Sequence, residues 1–259
     1  MPRHMSFSRT SRLMHDPLND QEQSLFSHLD ELRRRLLRSI IVCLVTFALL
    51  MWHANDLFQM LSAPLISLLP PGSHLVATDL TSPFMAPLRL SFMVALFISM
   101  PYLLFELWGF IAPALYQHER RVAIPLLSSS IVLFYSGVAF AYYLILPTVL
   151  HFFTHIGPSQ VTIMADMNHY LNFTLKFFLV FGLAFEIPVG TFLLIWSGLT
   201  TVESLSAKRR YVIVGNFFAA MFLAPPDAFS MLMLAIPMCL MFEAGLWAGR
   251  WVRKVGKDA

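Results

Sequence analysis

LLRSIIVCLVTFALLMWHA, residues Leu36–Ala54, is an almost uninterrupted apolar run that directly follows three consecutive arginines at positions 33–35. A transmembrane helix needs roughly 20 predominantly apolar residues. The apolar core of a cleavable signal peptide is shorter, about 7–15 residues. We therefore interpret this run as a first membrane span that stays in the chain.

The composition of the whole chain agrees with lipid as its solvent. Apolar residues make up 57% of the 259 residues and charged residues only 13%, and the mean hydropathy is +0.66. A soluble domain usually carries about 25% charged residues. The net charge of +3 gives little reason to expect a nucleic-acid partner. Cys43 and Cys239 lie inside apolar runs, so we expect buried thiols rather than a disulfide or a metal site.

The remaining apolar runs predict an all-α integral membrane protein with six transmembrane helices. The fifth and sixth spans are short, and the fifth has so few residues that these two spans could instead form one re-entrant hairpin. A separate amphipathic helix is predicted over Leu57–Leu69, at the membrane surface or capping the bundle. The six predicted spans are Leu36–Ala54, Pro83–Ala112, Val122–Leu150, Tyr170–Trp196, Tyr211–Ala224 and Ala228–Trp247.

The basic residues indicate the orientation of these spans. All but two of the 18 Lys and Arg residues lie in the N-terminal segment with the start of span one, the second-to-third loop, the fourth-to-fifth loop, or the tail. The opposite loops carry none, and Arg89 and Lys176 lie near span ends. By the positive-inside rule, both chain ends are cytoplasmic. We divide the chain into a cytoplasmic segment 1–35, a membrane domain 36–249 and a basic cytoplasmic tail 250–259.

Catalytic motifs are not found in the sequence. HExxH, GxSxG and Gly-rich phosphate loops are absent, so we expect no enzyme, no cofactor and no metal. Ionisable residues inside spans are costly and point to function by default. Glu186 lies in mid-span beside Pro188, and Glu106 lies near the cytoplasmic end of span two, as a partly hydrated site or a helix contact. Lys176 lies near the outer end of span four, where we expect its side chain to extend to the interface.

Two clusters on the cytoplasmic side combine carboxylates with arginines. The first is HLDELRRR, His28–Arg35, just before span one, and the second is HERR, His118–Arg121, just before span three. One interpretation is local ion pairing by residues that anchor the topology. The other is a surface that recognises a basic ligand, because guanidinium groups pair bidentately with carboxylates.

These clusters belong to a set of motifs that resembles the TatC family, the receptor core of the twin-arginine protein translocase. The match runs in the same order from about Leu25 to Trp247. Any one of the motifs would be weak evidence, but six in register are specific. They are HLDELRRRLL (28–37), SAPLI (62–66), ATDLTSPF (77–84), FIAPALYQHERR (110–121), FEIPV (185–189) and APPDAFS (224–230).

The resemblance implies a glove-like six-span bundle in the bacterial inner membrane that binds signal peptides with two adjacent arginines. It implies TatA and TatB as partners, a homo-oligomer within the receptor complex, and export of folded proteins driven by the proton-motive force. By the same resemblance, the signal-peptide site consists of Glu31, Glu119, Arg33, Arg35, Phe110, Arg120 and Arg121. Further functional positions are the intramembrane or turn acids Glu106, Glu186 and Asp227 and the outer-loop Pro64.

Two other classes of function fit the sequence less well than a receptor does. A proton-coupled transporter often has inverted repeats and several charges near the midplane, whereas here no convincing repeat is found and only Glu186 lies deep in a span. An intramembrane hydrolase needs a nucleophile paired with a base, and no motif supplies one.

Overall fold

The computed structural model describes residues 17–68, 76–111, 120–155, 166–224 and 227–255. Helices make up nearly all of these ranges, and five stretches are long and apolar enough to cross a membrane. α9, predicted as the fifth span, has only 15 residues and falls short of that length. The helices are α1 Pro17–Leu50, α2 Ala54–Leu68, α3 Ser82–Ile111, α4 Arg120–Phe140, α5 Leu146–His155, α6 Met167–Ala184, α7 Ile187–Trp196, α8 Val202–Ala207, α9 Arg209–Leu223 and α10 Ala228–Val255.

The first span is longer than its apolar run. α1 begins at Pro17, so the polar segment that carries the arginine cluster is helical and continuous with the span. A short 3₁₀ turn, Met51–His53, joins α1 to α2. α2 corresponds to the predicted amphipathic helix, and its Leu61 and Ser62 are buried.

Prolines explain the two interruptions inside spans. Pro147 has no N–H to donate, and the chain just before it widens into a π-helical turn, Ala141–Ile145, between α4 and α5. Pro188 likewise removes the donor that would bond to Ala184, and the helix breaks at residues 185–186. Glu186 N instead donates to Leu183 O at 3.1 Å. α6 and α7 are therefore two halves of one span.

The bundle packs α1 on α3, α4 on α6, and α10 on both α7 and α9. Small residues let the helices approach closely. A Cβ added to Gly137 of α4 would lie 2.5 Å from the Phe181 carbonyl oxygen of α6, and one added to Gly182 would lie 2.6 Å from the Phe134 ring. Phe134, Phe177 and Phe181 are fully buried between these helices.

α1 contributes little to this core. Only 6% of its most apolar window is buried inside the protein, and Leu36, Ile41 and Leu44 are exposed. Exposed leucine and isoleucine are favourable against lipid chains, whereas in water they would be costly. The apolar half of α1 therefore exposes most of its side chains toward the bilayer, and one stripe of the helix lies against α3.

Candidate functional site

An arginine and a glutamate one helical turn apart begin the site on α1. Arg35 donates two hydrogen bonds to Oε1 of Glu31, from Nη2 at 2.6 Å and from Nε at 3.0 Å. Residues four apart lie on the same face of a helix, with the glutamate here in the more favourable N-terminal position. The pair is half-buried, with 22% of the Arg35 side chain and 38% of the Glu31 side chain exposed.

α3 adds a second carboxylate to the same guanidinium. Arg35 Nη1 donates to Glu106 Oε2 at 3.1 Å, across 71 positions of sequence. The Glu106 side chain is only 5% exposed. Gly109 allows this approach, because a Cβ at that position would overlap the Arg35 guanidinium group. Arg35 is thus held by carboxylates from two helices.

Two further side chains complete the environment of Glu106. The Tyr102 hydroxyl donates to Glu106 Oε1 at 2.8 Å, and Arg38 Nη1 lies 3.7 Å from the same oxygen. Neither residue was predicted from the sequence to belong to the site. Helical spacing was the available signal, since Tyr102 precedes Glu106 by four residues and Arg38 follows Arg35 by three. Two carboxylates and two guanidinium groups leave this cluster with no net charge.

Other residues predicted for the signal-peptide site are only partly described. Arg33 is exposed on α1, and Phe110 is half-buried near the end of α3. The prediction for Glu119 lies outside the described residues. α4 begins at Arg120, and the side chains of Arg120 and Arg121 are outside the described part. The same holds for the side chain of Pro64, although its backbone is helical in α2.

Glu186 lies at the break between α6 and α7, separate from the arginine cluster. The residue is half-buried, and within the described ranges its Oε1 atom is buried without a hydrogen-bond partner. The Ser130 hydroxyl of α4 lies beside the carboxyl group and accepts a bond from Trp108 Nε1 at 3.3 Å. A polar group with unused bonding capacity inside a span points to a partner or to water.

Asp227 caps the last helix. Its Oδ1 accepts a hydrogen bond from the Ser230 backbone N–H at 2.7 Å, the usual arrangement of an N-cap aspartate. The other carboxylate oxygen, Oδ2, and the Ser230 hydroxyl are buried without a partner in the described part of the chain. No described hydrogen bond or ion pair connects Asp227 or Glu186 to the cluster around Arg35.

Asp166, which was not predicted to be functional, joins two loops at the opposite end of the bundle. Asp166 Oδ2 accepts from the Thr78 hydroxyl at 2.7 Å, and Oδ1 accepts from the His169 backbone N–H at 2.8 Å. Met167 N also donates to Val76 O at 3.0 Å. These donors, the Thr78 hydroxyl first, lower the pKa of Asp166 below its ordinary value. The cap of α6 therefore also anchors the segment that leads into α3.

Among the described residues, no three His, Cys, Asp or Glu side chains are grouped so that they could hold a metal ion. Cys43 is a buried free thiol, and Cys239 is a half-buried one. The cluster around Arg35 shows how carboxylates in this protein can bind a guanidinium group.

Comparison with known proteins gives consistent matches over most of the chain. The family profile of Sec-independent protein translocase protein (TatC) matches residues 27–237. The TatC protein of Haemophilus influenzae is 52% identical over 232 residues, 90% of this chain and 91% of that protein. The Escherichia coli K12 TatC protein is 48% identical over 239 residues, 92% and 93% of the two chains.

A solved structure gives the same answer for the fold. A crystal structure of the twin arginine translocase receptor TatC superposes with a TM-score of 0.79 at 37% sequence identity. The match covers 86% of this chain and 98% of the crystallised one. The expected all-α, six-span, glove-like membrane architecture is thereby confirmed.

Proposed function

Because the chain belongs to the TatC family of Sec-independent protein translocase subunits, we propose that it binds twin-arginine signal peptides at the cytoplasmic membrane surface. It thereby nucleates a complex that exports folded proteins, driven by the proton-motive force. The observation that carries this proposal is the clamp on Arg35, where carboxylates from α1 and α3 hold one guanidinium group at 2.6 and 3.1 Å.

The clamp on Arg35 can accept an arginine side chain of a signal peptide. Arg35 occupies the position that a signal-peptide guanidinium would take against Glu31, and Glu106 offers Arg35 a second carboxylate. An incoming arginine can therefore share or replace the Glu31 contact while Arg35 keeps its bond to Glu106. Neither guanidinium group is left unpaired in this exchange, which matters because an unpaired charge is costly at a half-buried site.

Glu119, Arg120 and Arg121 are proposed to extend this surface. They follow α3 in the chain and reach the start of α4, and the positive-inside rule assigns them to the same membrane side as Glu31. A second carboxylate at position 119 would match the second arginine of the signal. Arg33 and Phe110 are proposed as neighbours that position the peptide backbone and its apolar residues.

The remaining assignments concern the cellular setting. We propose the bacterial inner membrane as the location, with residues 1–35 and the tail 250–259 in the cytoplasm. TatA and TatB are the proposed partners, and copies of this chain would associate within the receptor complex. Glu186, at the α6–α7 break with a buried oxygen that lacks a described donor, is proposed to bond to a polar group of a partner's membrane helix.

Photocrosslinking to a signal peptide tests the receptor role. A photoreactive amino acid at position 110 should crosslink a peptide with paired arginines more strongly than the same peptide with paired lysines, because lysine lacks the bidentate fork. Glu31→Gln and Glu119→Ala should each reduce the crosslink by about tenfold, the value of one charge-assisted hydrogen bond.

Asp30→Asn is the matched control. Asp30 is adjacent in sequence but pairs with Arg34 on an exposed face, at 3.0 Å. This variant should crosslink as the unmodified chain does. If Glu31→Gln and Asp30→Asn behave alike, or if paired lysines crosslink as well as paired arginines, the carboxylate clamp is not the recognition site.

A further inference from the structure

A groove between α1, α3 and α6 lies apart from every residue assigned above. Its volume is about 460 Å³, within the range of roughly 300–1,000 Å³ that ligand pockets occupy. Most of its lining is apolar, with Phe47 from α1, Phe92 and Met93 from α3 and Leu175 from α6. Phe47 and Phe92 meet edge to face, with ring centroids 5.7 Å apart. Such walls suit a hydrocarbon chain.

Two cations from different helices line the same groove. Arg89 of α3 and Lys176 of α6 are both exposed. Neither makes a hydrogen bond or an ion pair with another residue in the described ranges. Asn172, one turn before Lys176, adds an exposed amide that can donate. The groove therefore combines an apolar body with an unneutralised positive end.

Arg89 and Lys176 lie at a depth in the membrane from which their side chains can reach the phosphate groups of lipids. α3 and α6 start on the same side, since Asn168 bonds to Ser82 across the two helix starts. The spans that contain them have 29 and 30 residues, about 44 Å of helix, which exceeds the roughly 30 Å hydrocarbon core by about 7 Å at each end. Arg89 and Lys176 lie about 10 and 14 Å from those starts. Their long side chains bridge the remaining few ångströms to the headgroup level.

We propose that this groove binds one acidic phospholipid from the leaflet that faces the start of α3 and α6. The phosphate group is held by the Arg89 guanidinium and the Lys176 ammonium group, and Asn172 donates to a headgroup oxygen. One acyl chain lies along Phe92 and Met93. Charge complementarity favours an acidic lipid over a zwitterionic one, because neither cation has a carboxylate partner among the described residues.

A photoreactive phenylalanine at position 92 of the full-length chain identifies the occupant. The protein is reconstituted in vesicles of phosphatidylcholine with a minority of phosphatidylglycerol, and the crosslinked lipid is identified by mass spectrometry. Phosphatidylglycerol should be enriched about tenfold or more over its share of the bilayer, as two cation–phosphate contacts imply. The variant R89Q/K176Q should lose this enrichment, whereas R210Q, which removes an exposed cation elsewhere, should keep it.

Three results would overturn the proposal. They are crosslinks in proportion to bilayer composition, enrichment that survives R89Q/K176Q, and crosslinks to a second copy of the chain instead of lipid. A fourth contradicting result would be loss of the phosphatidylglycerol crosslinks in millimolar soluble glycerol 3-phosphate, because the groove would then recognise the phosphate group alone. Met93→Trp, which fills the apolar part while both cations stay in place, should also reduce the phosphatidylglycerol crosslink.

Discussion

The ion pair between Arg35 and Glu106 should be a main electrostatic contact between α1 and α3, and a double-mutant cycle measures it. Arg35→Met keeps an unbranched side chain and removes the guanidinium group with its charge. Glu106→Gln keeps the shape and the ability to accept from Tyr102. If the pair stabilises the bundle, the effects of the two substitutions on the free energy of unfolding will not add.

The geometry sets the expected size of the coupling. Removing one partner of a fully buried ion pair costs about 3–5 kcal/mol, because the other charge is left without compensation. Here Glu106 is 5% exposed but Arg35 is 22% exposed. After Arg35→Met, Glu106 also keeps Tyr102 at 2.8 Å and Arg38 at 3.7 Å. These remaining partners reduce the expected cost of Arg35→Met to about 2–3 kcal/mol and the coupling energy to about 1.5 kcal/mol.

Reversible unfolding in mixed micelles, with increasing fractions of a denaturing detergent, gives the four free energies of the cycle. Arg34 and Asp30 supply a matched control on the same helix. Their ion pair is as short, at 3.0 Å, but the side chains are 67% and 56% exposed, so their coupling should stay below about 0.5 kcal/mol. Equal coupling energies for the two pairs would refute the argument from burial.

Other substitutions test the loop contact, the helix packing and the last helix cap. Asp166→Ala should lower the free energy of unfolding by about 1 kcal/mol at neutral pH. Because the pKa of Asp166 is lowered in the folded chain, the stabilisation by this carboxylate is complete above the ordinary aspartate pKa and is lost as the pH falls through the folded pKa. A Thr78→Val variant should therefore lose less stability on acidification than the unmodified chain does. Gly137→Ala should destabilise the bundle by about 1–3 kcal/mol, because the new Cβ would meet the α6 backbone at 2.5 Å. Gly190→Ala is the control: a Cβ there would have nothing within 4 Å, so the variant should be neutral or more stable by about 0.5–1 kcal/mol. Thermal unfolding of both variants measures the difference. Asp227→Ala should cost about 0.5–2 kcal/mol through loss of the bond to the Ser230 N–H, and Asp227→Asn should restore most of it; equal losses in both variants would mean that the cap is not the cause.

Features encoded within a few neighbouring residues could be predicted from the sequence. The apolar runs predicted a six-span helical membrane protein, and the comparison with a solved TatC structure confirms it. The chain departs from α-helix just before Pro147 and Pro188, because proline has no N–H to donate to the preceding turn. The family resemblance, not local pattern, named Glu31 and Arg35 as site residues; their four-residue spacing is one at which helix side chains meet.

Contacts between distant segments were not predictable in the same way. Glu106 was expected to be either a partly hydrated site or a helix contact, and the structure decides for the contact, with Arg35 across 71 positions. Asp166 and Thr78, 88 positions apart, were missed altogether. Arg89 and Lys176 looked like isolated span-end cations, yet they line one groove.

The sequence by itself determined the helical spans, their order, and which residues share a helix face, because hydropathy and the 3.6-residue repeat act over one or two turns. Only the tertiary structure decided which faces meet. The rotation of each helix about its axis depends on side chains of other helices, such as the rings that pack on Gly137 and Gly182. The clamp on Arg35 exists because packing turns Glu106 and Gly109 of α3 toward α1.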